Sequence, residues 1–317
     1  MYVIVHFEYR TKDTLIDSYM ADWDGKSKGS KSGYSIFVFI LRTFGVWFTY
    51  IMLYPASLIF FVQPNQAWKS IYSFLRTKVG LSPLKAFIGV YRNFYIFGQT
   101  LVDRVSVMAG YGKFTFTFDG EENLIRMVEE GTGGLLVSAH LGNWEIAGHL
   151  LYRVKAKINV VMFENEHDNI KEYMDSVKGE KNLNIIAIKE DLSHLYAIND
   201  AFERKELVCM HGDRFLPGTR TVEVPFLGES ACFPSGPLLM ASKYNVPVSF
   251  VFAMKESSSH YYFSATRGVV YTYDRDKVKQ AEQLKQTLHT FVELIEKNIK
   301  KYPYQWFNYY NFWQTGK

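Results

Sequence analysis

The chain is poor in cysteine, with two in 317 residues, Cys209 and Cys232. Neither has a partner at metal-type spacing. Two thiols in apolar stretches build no disulfide framework, which fits a reducing cytoplasmic compartment. A dominant charge is also missing: 36 Lys and Arg against 32 Asp and Glu leave a formal net charge of +4. That is too little for the electrostatic footprint of a nucleic-acid binder, so nucleic acid is not expected as a partner. The balance suits an anionic membrane surface or an acidic carrier protein. Internal repeats and low-complexity linkers are absent. No removable leader is recognisable, because the long apolar run is too long and no small-residue cleavage site follows it.

What is abundant is apolar and aromatic. Hydrophobic residues make up 48% of the chain and aromatics 17%, with 25 Phe, 22 Tyr and 6 Trp. The length accommodates one large domain or two modest ones. Tyr and Trp suit lipid–water boundaries, and a Phe-rich core accounts for the same composition. From Ile36 to Val62 the sequence is nearly continuous hydrocarbon, and Thr43 to Val62 gives 20 residues without a charge. That stretch predicts a helical anchor that spans or lies deep in a bilayer, with Arg42 snorkelling to the interface and Pro55 kinking it. A buried core hairpin is the alternative. Lys26, Lys28 and Lys31 precede the run, and Lys69, Arg76, Lys78 and Lys85 follow it. This weak asymmetry leaves orientation open.

Beyond Gly110 the pattern changes to strands alternating with helices. Strands are expected at 114–118, 134–139, 158–163, 184–188, 207–210, 221–226, 248–254 and 261–270. Helices are expected at 143–152, 168–177, 191–202, 236–244 and 276–301. The reading is α/β, a mixed and largely parallel sheet flanked by helices, with an N-terminal hydrophobic helical anchor. The chain accordingly divides into a membrane-anchoring helical region over 20–110 and an α/β catalytic domain over 111–317.

The richest stretch is Leu135 to His149, LLVSAHLGNWEIAGH. A buried strand delivers His140 to its C-terminal end, where open α/β sheets place their sites. Gly142 permits a tight turn, Asn143 is a good N-cap, and Glu145 falls in the first turn of the next helix. The five-residue offset predicts a carboxylate returning toward the imidazole, able to fix its tautomer while His140 acts as a general base. A capped helix whose His and Glu bond only to local backbone explains the same spacing. A metal set of His140, Glu145 and His149 departs from the one-turn His pair of zinc hydrolases. Met210 to Arg214 ends another strand on the same sheet edge, where Arg214 could hold a phosphate or an oxyanion, or simply pair with Asp213. Val224 to Leu239 could line an apolar slot for an acyl chain or form a packed strand–turn–helix core.

The H-x-x-x-x-E corner HLGNWE, the Gly212-Asp213-Arg214 turn and the VPFLGESACFPSGP block at Val224 to Pro237 together resemble the lipid A late acyltransferase branch of the lysophospholipid acyltransferase superfamily. The likeness runs from about Trp23 to the C-terminus and includes the closing PYQWFNYYNFW. Residues 1–19 have no recognised counterpart, so Met20 is the expected start. The resemblance implies a glycerol-3-phosphate/lysophospholipid acyltransferase-like fold with His140 as base and Glu145 as its partner. It places Asn143, Asp213, Arg214, Phe233, Pro234, Ser235 and Gly236 around the substrates. It further implies an acyl-carrier-protein thioester as donor, a lipid A precursor hydroxyl as acceptor, no metal or other cofactor, and action at the cytoplasmic face of the inner membrane. Acylation of another amphiphile (a different glycolipid, an aryl polyene-type pigment or an amino-acid lipid) shares these motifs. A non-catalytic membrane-binding protein on the same fold and a soluble metalloenzyme are the contrasting classes.

Overall fold

The computed structural model describes residues 31–314, apart from 64, 145, 147–153, 155, 164–182, 190 and 216–217. Three helices lead: α1 (Lys31–Val62), α2 (Gln66–Thr77) and α3 (Pro83–Met108). Helix α2 starts where Asn65 accepts a hydrogen bond from the Trp68 amide, and α3 has Pro83 in its first turn, a position that costs no internal bond. Helices α1 and α3 pack through Leu41, Tyr50, Val102 and Val105 and through stacked Tyr54 and Tyr95. The residue that leaves helical geometry within α1 is Gly45, at φ 78°, ψ 178°, a region open essentially to glycine alone; Pro55 sits inside the helix. The unbroken apolar helix is therefore residues 46–62, about 25 Å long at the usual rise per residue.

The rest is the expected α/β arrangement. In chain order it comprises β1 (Thr115–Asp119), α4 (Glu121–Glu129), β2 (Gly134–Ser138), β3 (Ile158–Phe163), β4 (Leu183–Ile188), α5 (Ser193–Glu203), β5 (Leu207–His211), β6 (Thr221–Phe226), β7 (Glu229–Pro234), α6 (Gly236–Tyr244), β8 (Pro247–Lys255), β9 (His260–Ala265), β10 (Val269–Val270) and α7 (Lys277–Lys301). Strand order in the main sheet is β1-β9-β8-β2-β5-β3-β4, with β10 beside β8. From β8 to β4 neighbours run parallel, while β9 and β10 are antiparallel to β8. The sheet is mixed and mostly parallel, and its central strand β2 is buried along its whole length, as a strand covered on both faces must be.

Three elements differ from the sequence reading. Helix α4 buries only Leu124 and Met127 among charged residues and was not anticipated. The strand expected over 261–270 is divided into β9 and the two-residue β10. The block after Val224 folds back as a hairpin, since Leu227 and Gly228 both take positive φ, the geometry of a two-residue turn that matches strand twist. The helices expected over 143–152 and 168–177 lie largely or wholly outside the described residues.

The main core lies between the sheet, α7 and the β6–β7 hairpin. Helix α7 begins where Asp276 accepts hydrogen bonds from the Val278 and Lys279 amides. Its buried Leu284, Leu288, Phe291, Val292, Ile295 and Ile299 recur at helical spacing on one face. Phe291 meets Phe233, Phe250 and Phe252. Replacing it with Ala should lower unfolding free energy by ~3–5 kcal/mol, measurable by urea denaturation in detergent.

Candidate active site

The site forms where β2 and β5 end side by side. Their parallel register sets Ser138 opposite His211, so His140 and Asp213 leave the sheet at the same edge. Two glycines make this close approach feasible. A Cβ on Gly142, at φ +75°, would sit 2.1 Å from the Ala253 carbonyl oxygen, and one on Gly212 would sit 2.7 Å from Val137. The Gly212 amide donates to Ser138 O at 2.8 Å.

Asp213, 2% exposed, holds His140 at two points. Its Oδ2 accepts the His140 backbone N–H at 2.8 Å, and its Oδ1 lies 2.8 Å from Nδ1 of the ring. With Nδ1–H donated to a carboxylate, Nε2 is left as the basic nitrogen. Burial would raise the Asp213 pKa, but His140, His211 and Arg214 hold it far below the ordinary carboxylate range. Burial, then the Arg214 charge, lowers the His140 pKa against the opposing pull of Asp213. The lowered pKa favours the neutral imidazole, and the Asp213 carboxylate lies against its Nδ1.

His211 lies against His140 with ring centroids 4.1 Å apart and planes tilted by 41°, and Trp144 meets it edge-on at 4.8 Å. Burial first, and His140 second, push its pKa well below the usual histidine value. Both of its ring nitrogens are buried, and neither has a hydrogen-bond partner among the described residues. His140, His211 and Asp213 bring ligand-type atoms within 4.8 Å of one another. The donor set has a composition that zinc would accept, but the 2.8 Å contact already commits Nδ1 and Oδ1 to each other. The set considered from sequence, with Glu145 and His149, lies partly outside the described residues.

The C-terminal segment completes the corner. The Phe307 amide donates to His140 O at 2.9 Å, Gly142 donates to Gln305 O at 2.9 Å, and Leu141 bridges Trp306. Arg214 donates through Nη2 to Phe307 O at 2.7 Å, and its guanidinium lies 5.9 Å from the Tyr310 ring. One short segment therefore fixes both His140 and Arg214.

The remaining predicted residues fall into two groups. Glu145 lies outside the described residues. Asn143 is 3% exposed and faces inward: its amide donates to Thr100 O and Tyr261 Oη, and its Oδ1 accepts from the Ile146 amide, as a cap would. Phe233 is fully buried among Phe226, Phe291 and Phe312, Pro234 is buried, and Ser235 bonds Arg220 O. Gly236 is exposed at the start of α6. Phe233 to Ser235 are thus buried, with Phe233 packed among aromatic rings. Cys209 is a β5 packing residue whose thiol burial pushes up to about 12.

A family model described as bacterial lipid A biosynthesis acyltransferase matches residues 98–315. The chain belongs to that family. The match covers His140, Asp213, Arg214 and the clamping segment, so this corner is the candidate centre of an acyltransferase. The acyltransferase is also similar, at 12% identity and a TM-score of 0.37, to the crystal structure of the 1-acyl-sn-glycerophosphate acyltransferase PlsC from Thermotoga maritima, over 76% of this chain and 96% of that one. No curated protein matches it.

Replacing Asp213 with Asn should cut acyl transfer ~10²–10⁴-fold at normal folding, because the ring loses both its tautomer and its counter-charge. The acid limb of wild-type kcat/KM should lie below about 6.5, the ordinary histidine value, since a lowered pKa keeps Nε2 free as pH falls through that range. A pH–rate profile reads this directly.

Proposed function

We propose that this acyltransferase moves a fatty acyl group from an acyl-carrier-protein thioester to a hydroxyl of a lipid A precursor, working at the cytoplasmic face of the inner membrane. The observation that carries the reaction is the His140 ring, with Nδ1 tied to the buried Asp213 carboxylate and Nε2 left over. Nε2 takes the acceptor's hydroxyl proton as that oxygen attacks the thioester carbonyl carbon. The tetrahedral intermediate collapses, the C–S bond breaks, and the leaving thiolate recovers the proton from His140. Arg214, held beside the ring, stabilises the oxyanion, a role worth ~2.7–4 kcal/mol for one donor elsewhere.

Membrane association is supported by α1, whose segment Phe39–Val62 has mean hydropathy 1.7 and is long and apolar enough to cross a bilayer. Phe39, Trp47, Ile59 and Phe60 of α1 are exposed, and so are Leu84, Phe87 and Ile88 of α3. An apolar face of this extent suits lipid better than water. Membership in a family of lipid A biosynthesis acyltransferases supports lipid A precursors as the acceptor class.

Total-lipid mass spectrometry of a deletion strain should show lipid A short of one acyl chain, restored by the wild-type gene and not by His140→Ala. Loss of an acyl group from another amphiphile, with lipid A intact, would replace the acceptor proposed here. Two carboxylates compete for the relay role. If Asp213 holds it, Asp213→Asn loses more activity than Glu145→Gln in the same assay; the opposite order returns the role to Glu145.

A further inference from the structure

Behind the catalytic corner lies a second polar cluster that the reaction does not use. Asp103 of α3 is fully buried, and Lys255, the last residue of β8, is 7% exposed. They form an ion pair, and the hydroxyls of Tyr50 and Tyr261 also bond the Asp103 carboxylate. Lys255 Nζ donates to Tyr50 Oη at 3.0 Å and to Ser258 O at 3.2 Å. On the far side, Tyr261 Oη accepts from the Asn143 amide at 3.2 Å. The Lys255 backbone is held from both sides by Gln305, at 2.9 and 2.7 Å.

The cluster brings α1, α3, β8 and β9 to one point. Tyr50 belongs to the apolar helix α1, and Asn143 belongs to the turn that follows His140. Their apolar surroundings form separate clusters, Leu41, Tyr50, Val102 and Val105 on one side and Ile146, Ala253, Tyr261 and Phe263 on the other. The Asn143 amide N–H and the Gly142 bridge bind β8 at Ala253, two residues before Lys255. A displacement of α1 would therefore reach that turn through Asp103 and Tyr261, beside the direct bond from the Asn143 side chain to Thr100 O of α3. A buried ion pair is seldom the more stable choice over apolar packing, while the geometry it imposes is specific.

We propose that the buried Asp103–Lys255 pair, with Tyr50 and Tyr261, is a positioning device that ties the His140 turn to α1, so that catalytic competence depends on how α1 is seated. Its kinetic consequence rests on the acyl-transfer reading; its structural consequence does not.

The test uses the full chain in detergent micelles with Tyr50→Phe and Tyr261→Phe, each removing one oxygen, and Tyr196→Phe, on the exposed face of α5, as a control. Backbone hydrogen exchange of the segment around residues 135–144 is read by mass spectrometry, alongside kcat and KM. Both cluster variants should exchange faster at that turn, and kcat should fall about ten- to a hundredfold at unchanged KM, as expected for a misplaced catalytic group. Tyr196→Phe should match wild type. A cluster variant that does not fold leaves the other to decide. Wild-type exchange, or an unchanged kcat in the folded variants, overturns the proposal. Because exchange is read on the protein alone, it still decides the matter if wild type transfers no acyl group, an outcome that would instead remove the functional reading.

Discussion

The catalytic corner depends on one carboxylate gripping one histidine twice. Asp213 takes the backbone N–H of His140 through one oxygen and ring Nδ1 through the other. The first bond fixes where the residue leaves the sheet, and the second fixes the ring's rotation and tautomer. Neither oxygen could do this if Asp213 were exposed, because water would compete for both. Its burial, with only 2% of the residue exposed, makes the two bonds costly to break and keeps the charge aimed at the ring. Desolvation and Arg214 lower the His140 pKa against the pull of Asp213, which suits the base role proposed for the ring.

Around this contact the architecture supplies rigidity from three directions. Strands β2 and β5 bring residues 73 positions apart together through parallel pairing. The C-terminal segment bonds His140, Gly142 and Arg214 through its backbone. The Asp103–Lys255 cluster backs the turn from behind. Sites held on strand ends by such supporting contacts keep catalytic groups within the narrow geometry that transfer reactions need.

Much of this was legible in the chain. GLLVS reads as a buried strand because it is continuously apolar, and the glycine and amide that follow mark the turn, so His140 at a sheet edge follows from local chemistry. The partner was harder to read. Glu145 is five residues away and Asp213 is 73, and sequence proximity favours the nearer carboxylate although the described contact is to the distant one. Non-local pairing between parallel strands leaves no periodic trace. His211 lay within a stretch already singled out, but a histidine at a strand end looks the same whether it lies against a neighbour or faces solvent. The aromatic tail was visible as a motif, while its work is done by backbone groups of Gln305 and Phe307 that no side-chain pattern reports. The FPS block was ambiguous because apolar residues beside Gly and Pro suit a slot and a core equally; in the fold Phe233 packs with Phe291, Phe312 and Trp306.

The claim on which all this turns is the proton's place on His140. Nitrogen-15 NMR of histidine-labelled protein in micelles at pH 7 reads it directly, with assignment by the His140→Gln spectrum. The account predicts a neutral His140 ring carrying its proton on Nδ1. An Nε2–H tautomer, or an imidazolium at that pH, would contradict it.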